Sequence, residues 1–220
     1  EGTLQPGERV SLAELERYYL PNFDLGAHRQ AINELRENGR LISPDDDPAV
    51  TLQDVAWMMI RHSSNAAADY LHLRLERQQI EETAIALGLN NAPARHSAPC
   101  TFLGQFLMQA NHSRAGIGDR AALAAFAEAG PDGAAAYGAG VAQLADTYIN
   151  DATFRAAEQE WRAAARRPSI DTQRYFAGRL APQGTAGAYA ALMSRLAQNG
   201  LSNADSSYQA RLILEWPNQF

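Results

Sequence analysis

Between Thr51 and Leu89 the chain reads TLQDVAWMMIRHSSNAAADYLHLRLERQQIEETAIALGL, a helix, a corner carrying Ser63, Ser64 and Asn65, and two further helices that stop at Gly88. Thr51 with Asp54 has the form of a capping box, and Val50 and Val55 are placed to staple the helix entry. Leu52, Val55, Ala56, Met59 and Ile60 recur at i, i+3, i+4, i+7 and i+8, which predicts a single buried stripe. Ala66, Ala67 and Ala68 are small enough to let the second helix approach closely. A hydroxyl and a carboxamide two residues apart are thereby fixed at a rigid junction.

Helix signals continue on both sides. Ser11 to Glu14 has the capping-box form, stapled by Val10 and Leu15, with Pro21 closing that helix. A second helix is predicted over 27–38, with Ile32 and Leu35 inward and Gly39 as its stop; 41–48 reads as an exposed connection. A loop over 90–99 leads to a helix through Phe102, Leu103, Phe106 and Leu107. Ala-rich helices follow over 119–128, 134–149 and 152–167, the last capped by Asp151, with a shorter one over 171–180. Thr185 caps a helix with Tyr189, Leu192, Met193 and Leu196 on one face, and a final helix covers 205–215 before Pro217. No run of alternating β-branched residues appears, so the expectation is a mainly α body of eight to ten helices in one domain.

Several function classes lose ground on composition. A net charge of −6 over 220 residues argues against nucleic acid as a partner, because phosphate binding needs a clustered basic surface. The run Arg162, Arg166, Arg167 reads as a solvated helix face. No apolar run approaches the ~18 residues of a membrane span. The single cysteine, Cys100, sits before apolar helical spacing and reads as a small core residue. His28, His62, His72, His96 and His112 lack paired ligand spacing, so no metal or cofactor is expected. Gly138-Ala139-Gly140 has no preceding strand and reads as helix packing or a turn, not a dinucleotide loop. Glu158 with Glu160, and Asp45 to Asp47, have the composition of solvated surface.

The corner admits two readings. Ser63 or Ser64 is a helix cap with Asn65 in the first turn, or the side chains face a cleft. In its context the segment resembles the Ser-Asp-Asn region of class A β-lactamases and related penicillin-recognising serine hydrolases. The features that match are Thr51-Leu52-Gln53-Asp54, Ser63-Ser64-Asn65, Ala66 to Leu71, and Ala86-Leu87-Gly88-Leu89. Gly2 to Val10 resembles the stretch after that family's nucleophile helix, and 185–216 resembles the helix pair before its final strands. The resemblance covers 1–90 and 181–220, leaving 91–180 as an enlarged helical insertion.

That resemblance implies roles residue by residue. Ser63 would relay a proton toward the leaving nitrogen of a β-lactam or peptide-like amide. Asn65 would donate its amide to the substrate carbonyl, with Ser64, standing where the family has Asp, beside it in substrate binding. The family also needs a nucleophile in Ser-x-x-Lys and a facing Lys-Thr/Ser-Gly strand. All 19 basic residues here are Arg, so neither motif lies within these 220 residues, and an unactivated serine is a poor nucleophile. A deacylating Glu-x-x-x-Asn is also missing beyond Asn90. The expectation is therefore the helical lobe of an exported serine hydrolase, trimmed at both ends, inactive alone and completed by the sheet of its parent chain. The alternative is a non-catalytic helical binding or scaffold domain whose corner only caps a helix.

Overall fold

The structure, a computed structural model, describes residues 4–89, 101–112, 119–164, 166–181 and 184–215. Among these residues the order is β1 (Arg9–Ser11), α1 (Leu12–Glu16), α2 (Ala27–Glu37), β2 (Ala49–Thr51), α3 (Leu52–His62), α4 (Asn65–Leu75), α5 (Arg77–Ala86), α6 (Phe102–Ala110), α7 (Asp119–Glu128), α8 (Gly130–Asn150), α9 (Ala152–Ala163), α10 (Ile170–Arg179), α11 (Ala186–Ala197) and α12 (Ala204–Leu214). The body is mainly α, as the helix signals predict. It carries twelve described helices where eight to ten were expected, and one small sheet where none was expected.

That sheet has a simple cause. Its strands are three residues long, too short to show an alternation in sequence. They pair antiparallel with Val10 opposite Val50, both fully buried, and Arg9 opposite Thr51. The ladder sets the starts of α1 and α3 side by side, since Leu12 N donates to Pro48 O and Leu52 N to Glu8 O. Thr51 closes the complete capping box with Asp54. Ser11 caps α1 through Ala13 N alone, without the reciprocal bond from Glu14; its hydroxyl also donates to Asp47 Oδ1 at 3.1 Å.

Three apolar clusters hold the helices. The first joins β1, β2 and α1 to α4 around Leu15, Leu35, Val55, Met58 and Tyr70. Each such side chain contributes about 1.5–3 kcal/mol on burial. The inner face of α3 differs from the predicted stripe: Trp57 and Met58 are buried, whereas Ala56, Met59 and Ile60 are only half-buried. The helix is packed by α2, α4 and α12, so its contacts wrap beyond one stripe.

The second and third clusters lie on α6 and α8, through Leu103, Phe106, Leu107 and Tyr148 on one side and Met108, Leu123, Tyr137 and Val141 on the other. Gly104 lets these two helices touch, because a Cβ there would sit 2.3 Å from Val141 O. Gly138 and Gly140 lie inside α8, where added Cβ atoms would meet Arg77 and Met108; both are packing glycines. α8 starts at Gly130, earlier than predicted, with Pro131 in its first turn, where the missing N–H costs nothing.

Two surface assignments change. Glu158 is 2% exposed and meets His112 Nδ1 at 3.0 Å, so it belongs to the interior and not to a solvated face. α9 ends at Ala163, and Arg162 leaves the solvated group by donating to Asn22 O and lying over the Phe106 ring. On α11, Leu196 is buried, but Tyr189 and Met193 are 53% and 48% exposed. No described helix is long and apolar enough to cross a membrane. The sequence readings of Cys100 and His96 fall outside the described residues.

Candidate active site

The corner between α3 and α4 takes two residues with different jobs. Ser63 adopts the left-handed conformation, φ 60° and ψ 38°, and ends α3, so that the next N–H, that of Ser64, donates back to Met58 O at 3.2 Å. Ser64 returns to extended backbone and becomes the N-cap of α4, its Oγ accepting from Ala67 N at 3.2 Å. Asn65 is then the first residue of α4. This turn exposes Ser63, leaves Asn65 half-exposed and buries Ser64 at 1%. Neither the Ser63 hydroxyl nor the Asn65 amide hydrogen-bonds to a described residue. The capping role thus falls to the middle residue and not to its two neighbours.

Ser64 is further fixed by a residue that local pattern could not identify. His28, fully buried near the start of α2, places Nδ1 2.9 Å from Ser64 Oγ. Its Nε2 lies 3.5 Å from Glu16 Oε1, and the Tyr19 ring stacks on the imidazole at 5.2 Å. With the ring proton on Nε2 toward Glu16, Nδ1 accepts from the Ser64 hydroxyl while that oxygen accepts from Ala67 N. Burial pushes the Glu16 carboxyl up, but its bond to His28 and the charge of Arg29 outweigh this and hold it below its ordinary range. The order serine, histidine, glutamate resembles a catalytic triad, yet its serine is inaccessible. Its chemistry is positioning.

A carboxylate that is itself buried, that of Asp69, extends this scaffold. Asp69 stands four residues after Asn65, on the same face of α4. Its oxygens accept from Phe102 N at 2.6 Å and Leu103 N at 2.7 Å, capping α6 beside the Thr101 hydroxyl. Burial raises its pKa to about 7, against the opposing effect of those two N–H bonds. α4 therefore carries both the exposed amide and the anchor for the following helix. The His28 contact spans 36 residues and the two Asp69 contacts 33 and 34, so no local motif could announce them.

Open recesses are formed by described residues. One, of 360 Å³, is bordered by Glu16, Tyr19, Arg29 and Arg155; another, of 650 Å³, by Gln30, Glu34, Glu37 and Arg61. Neither is lined by Ser63 or Asn65, although Tyr19 and Glu16 of the first contact His28 directly.

The comparisons with known proteins bear on this arrangement. Residues 29–218 match the model of the beta-lactamase enzyme family, Beta-lactamase2. No curated protein and no solved structure matches the chain significantly. The matched span contains α3, the Ser63-Ser64-Asn65 corner, α4 and the α11–α12 pair, and its architecture is the mainly α part of the β-lactamase fold. With most of its length inside that match, the chain belongs to the beta-lactamase enzyme family.

Proposed function

We propose that these residues form one helical domain of an exported β-lactamase-like serine hydrolase, the lobe that presents Ser63 and Asn65 to a β-lactam or peptide-like amide. Ser63 would pass a proton to the leaving nitrogen, and Asn65 would donate to the acyl-amide carbonyl. Ser64, which the sequence reading grouped with substrate binding, is assigned here to holding the corner. The single observation that carries the reading is the division of labour at the turn: Ser64 is consumed by the cap and His28, while Ser63 and Asn65 have no side-chain hydrogen bond among the described residues.

The reaction would be acyl-enzyme hydrolysis. The nucleophile and its lysine are supplied outside these 220 residues, which contain no Lys. The facing sheet would close the crevice, and the apolar groups exposed on α11 and α12, Tyr189, Met193 and Tyr208, support a further packing surface of that kind. The long 91–180 stretch would be an insertion that buttresses α4 through Asp69.

A fluorescent penicillin tests this. A gene product carrying this segment together with a verified Ser-x-x-Lys motif becomes covalently labelled, and the 220 residues alone do not. Failure of the former to label would remove the penicillin-recognising assignment and favour a binding or scaffold domain.

A further inference from the structure

We propose that the 360 Å³ cavity between α1, the start of α2 and α9 binds a small organic carboxylate. The site is separate from acyl transfer and does not depend on it. Its volume lies near the lower end of the roughly 300–1,000 Å³ typical of small-molecule sites, which suits a ligand of amino-acid size.

Three guanidinium groups, Arg17, Arg29 and Arg155, border the cavity, against the one carboxylate of Glu16. Arg17 donates through Nε to Ile149 O and through Nη2 to Asn150 Oδ1. Arg155 donates through Nη1 to Tyr148 O and Ile149 O. Both are thereby anchored on the carbonyl end of α8, a common station for cations. Helix capping alone leaves much of each group unused: a guanidinium has five N–H donors, so Nη1 of Arg17 and Nε and Nη2 of Arg155 keep donors for a ligand. Arg29 is paired to Glu16 at 2.7 and 2.9 Å and lies over the Tyr19 ring at 4.6 Å.

The result is an electropositive recess with a small apolar wall. Planar guanidinium forks match a carboxylate, and Ala13, Pro21 and the edge of the Tyr19 ring, whose faces are taken up by His28 and Arg29, line the recess for the apolar body attached to it. An inorganic anion would use the first feature and not the second. Glu16 opposes the ligand, because it neutralises Arg29 and repels a second carboxylate.

Calorimetric titration of the 220-residue chain with N-acetyl-leucinate tests the assignment, with N-acetyl-leucinamide and inorganic phosphate as comparison ligands. The carboxylate is expected to bind and the amide not, with affinity falling as salt is added. Arg155→Gln should weaken binding roughly tenfold, the loss expected for one charge-assisted bond. Glu16→Gln should tighten it several-fold, a gain that damage to the fold would not produce. Should Arg155→Gln fail to fold, the Glu16→Gln gain and the amide control on the unaltered chain still decide. No binding, equal binding of the amide, or phosphate binding as well as the carboxylate would each overturn the proposal.

Discussion

His28 Nδ1 lies 2.9 Å from Ser64 Oγ, so a fully buried side chain of α2 holds the middle residue of the corner between α3 and α4. That bond consumes the serine facing inward and leaves Ser63 and Asn65 outward. Replacing His28 with Phe keeps a ring against Tyr19 but removes the nitrogen. The loss should cost about 1–3 kcal/mol, the range for a buried hydroxyl left short of a partner. Urea unfolding measures it; a change within error would mean that the bond does not hold the corner.

Ser63 sits at φ 60°, where glycine is at ease and serine is strained. Ser63→Gly should therefore leave stability unchanged or raise it by up to about 1 kcal/mol. In a product carrying the nucleophile motif, the same substitution should sharply slow penicillin acylation, because the hydroxyl is lost. Full labelling rates in that variant would refute the proton-relay role.

Gly104 faces Val141 O across the α6–α8 contact, and a Cβ there would also fall 2.8 Å from Val141 Cγ1. Gly104→Ala should cost about 1–3 kcal/mol by forcing the helices apart, more than the gain in helix propensity returns. Thermal unfolding by circular dichroism reads this as a lowered midpoint.

The Asp69 carboxyl, raised to about 7 by burial, gives a pH dependence of defined sign. Its pKa in the unfolded chain is about 3.9, so between these values the folded state binds the proton more tightly. This group's contribution to stability is greatest below about pH 4, falls as pH rises toward 7, and is flat above. Asp69→Asn lacks that titration. The stability of the original chain relative to the variant should therefore decline across this window, by at most about 1.4 kcal/mol per pH unit. Urea unfolding of both chains across it checks the slope, and a relative stability that rises with pH would contradict the assignment.

Thr51 and Asp54 close the capping box, Thr51 Oγ1 accepting from Asp54 N at 3.1 Å and Thr51 N donating to Asp54 Oδ2 at 3.0 Å, and the Thr51 hydroxyl also donates to Asp54 Oδ2 at 2.6 Å. Thr51→Ala should lower stability by about 1 kcal/mol. Chemical denaturation gives the value directly, and an unchanged midpoint would show the cap to be dispensable.

Helix entries were the most legible features. Thr51, Asp151 and Thr185 are the caps their sequence settings predict, since a cap bonds backbone within three residues of itself. Outer faces were less legible. Glu158 read as surface because a pair of glutamates such as Glu158 and Glu160 on an Ala-rich helix usually is; its partner His112 lies 46 residues away. The predicted stripe on α11 is apolar in sequence and half-exposed in the structure, where the described helix packing on it is α12. Periodicity says which face is apolar, not what covers it.

The sequence by itself determined the helices, their caps, and the place of a Ser-x-Asn corner at a junction, because these rest on interactions within a few residues. Only the tertiary structure decided which hydroxyl of Ser63 and Ser64 is buried, which side chain holds it, and that Asp69 ties α4 to α6. Those outcomes depend on His28, Phe102 and Leu103 arriving from more than thirty residues away, and contacts at that range are set by packing and burial, which no local pattern encodes.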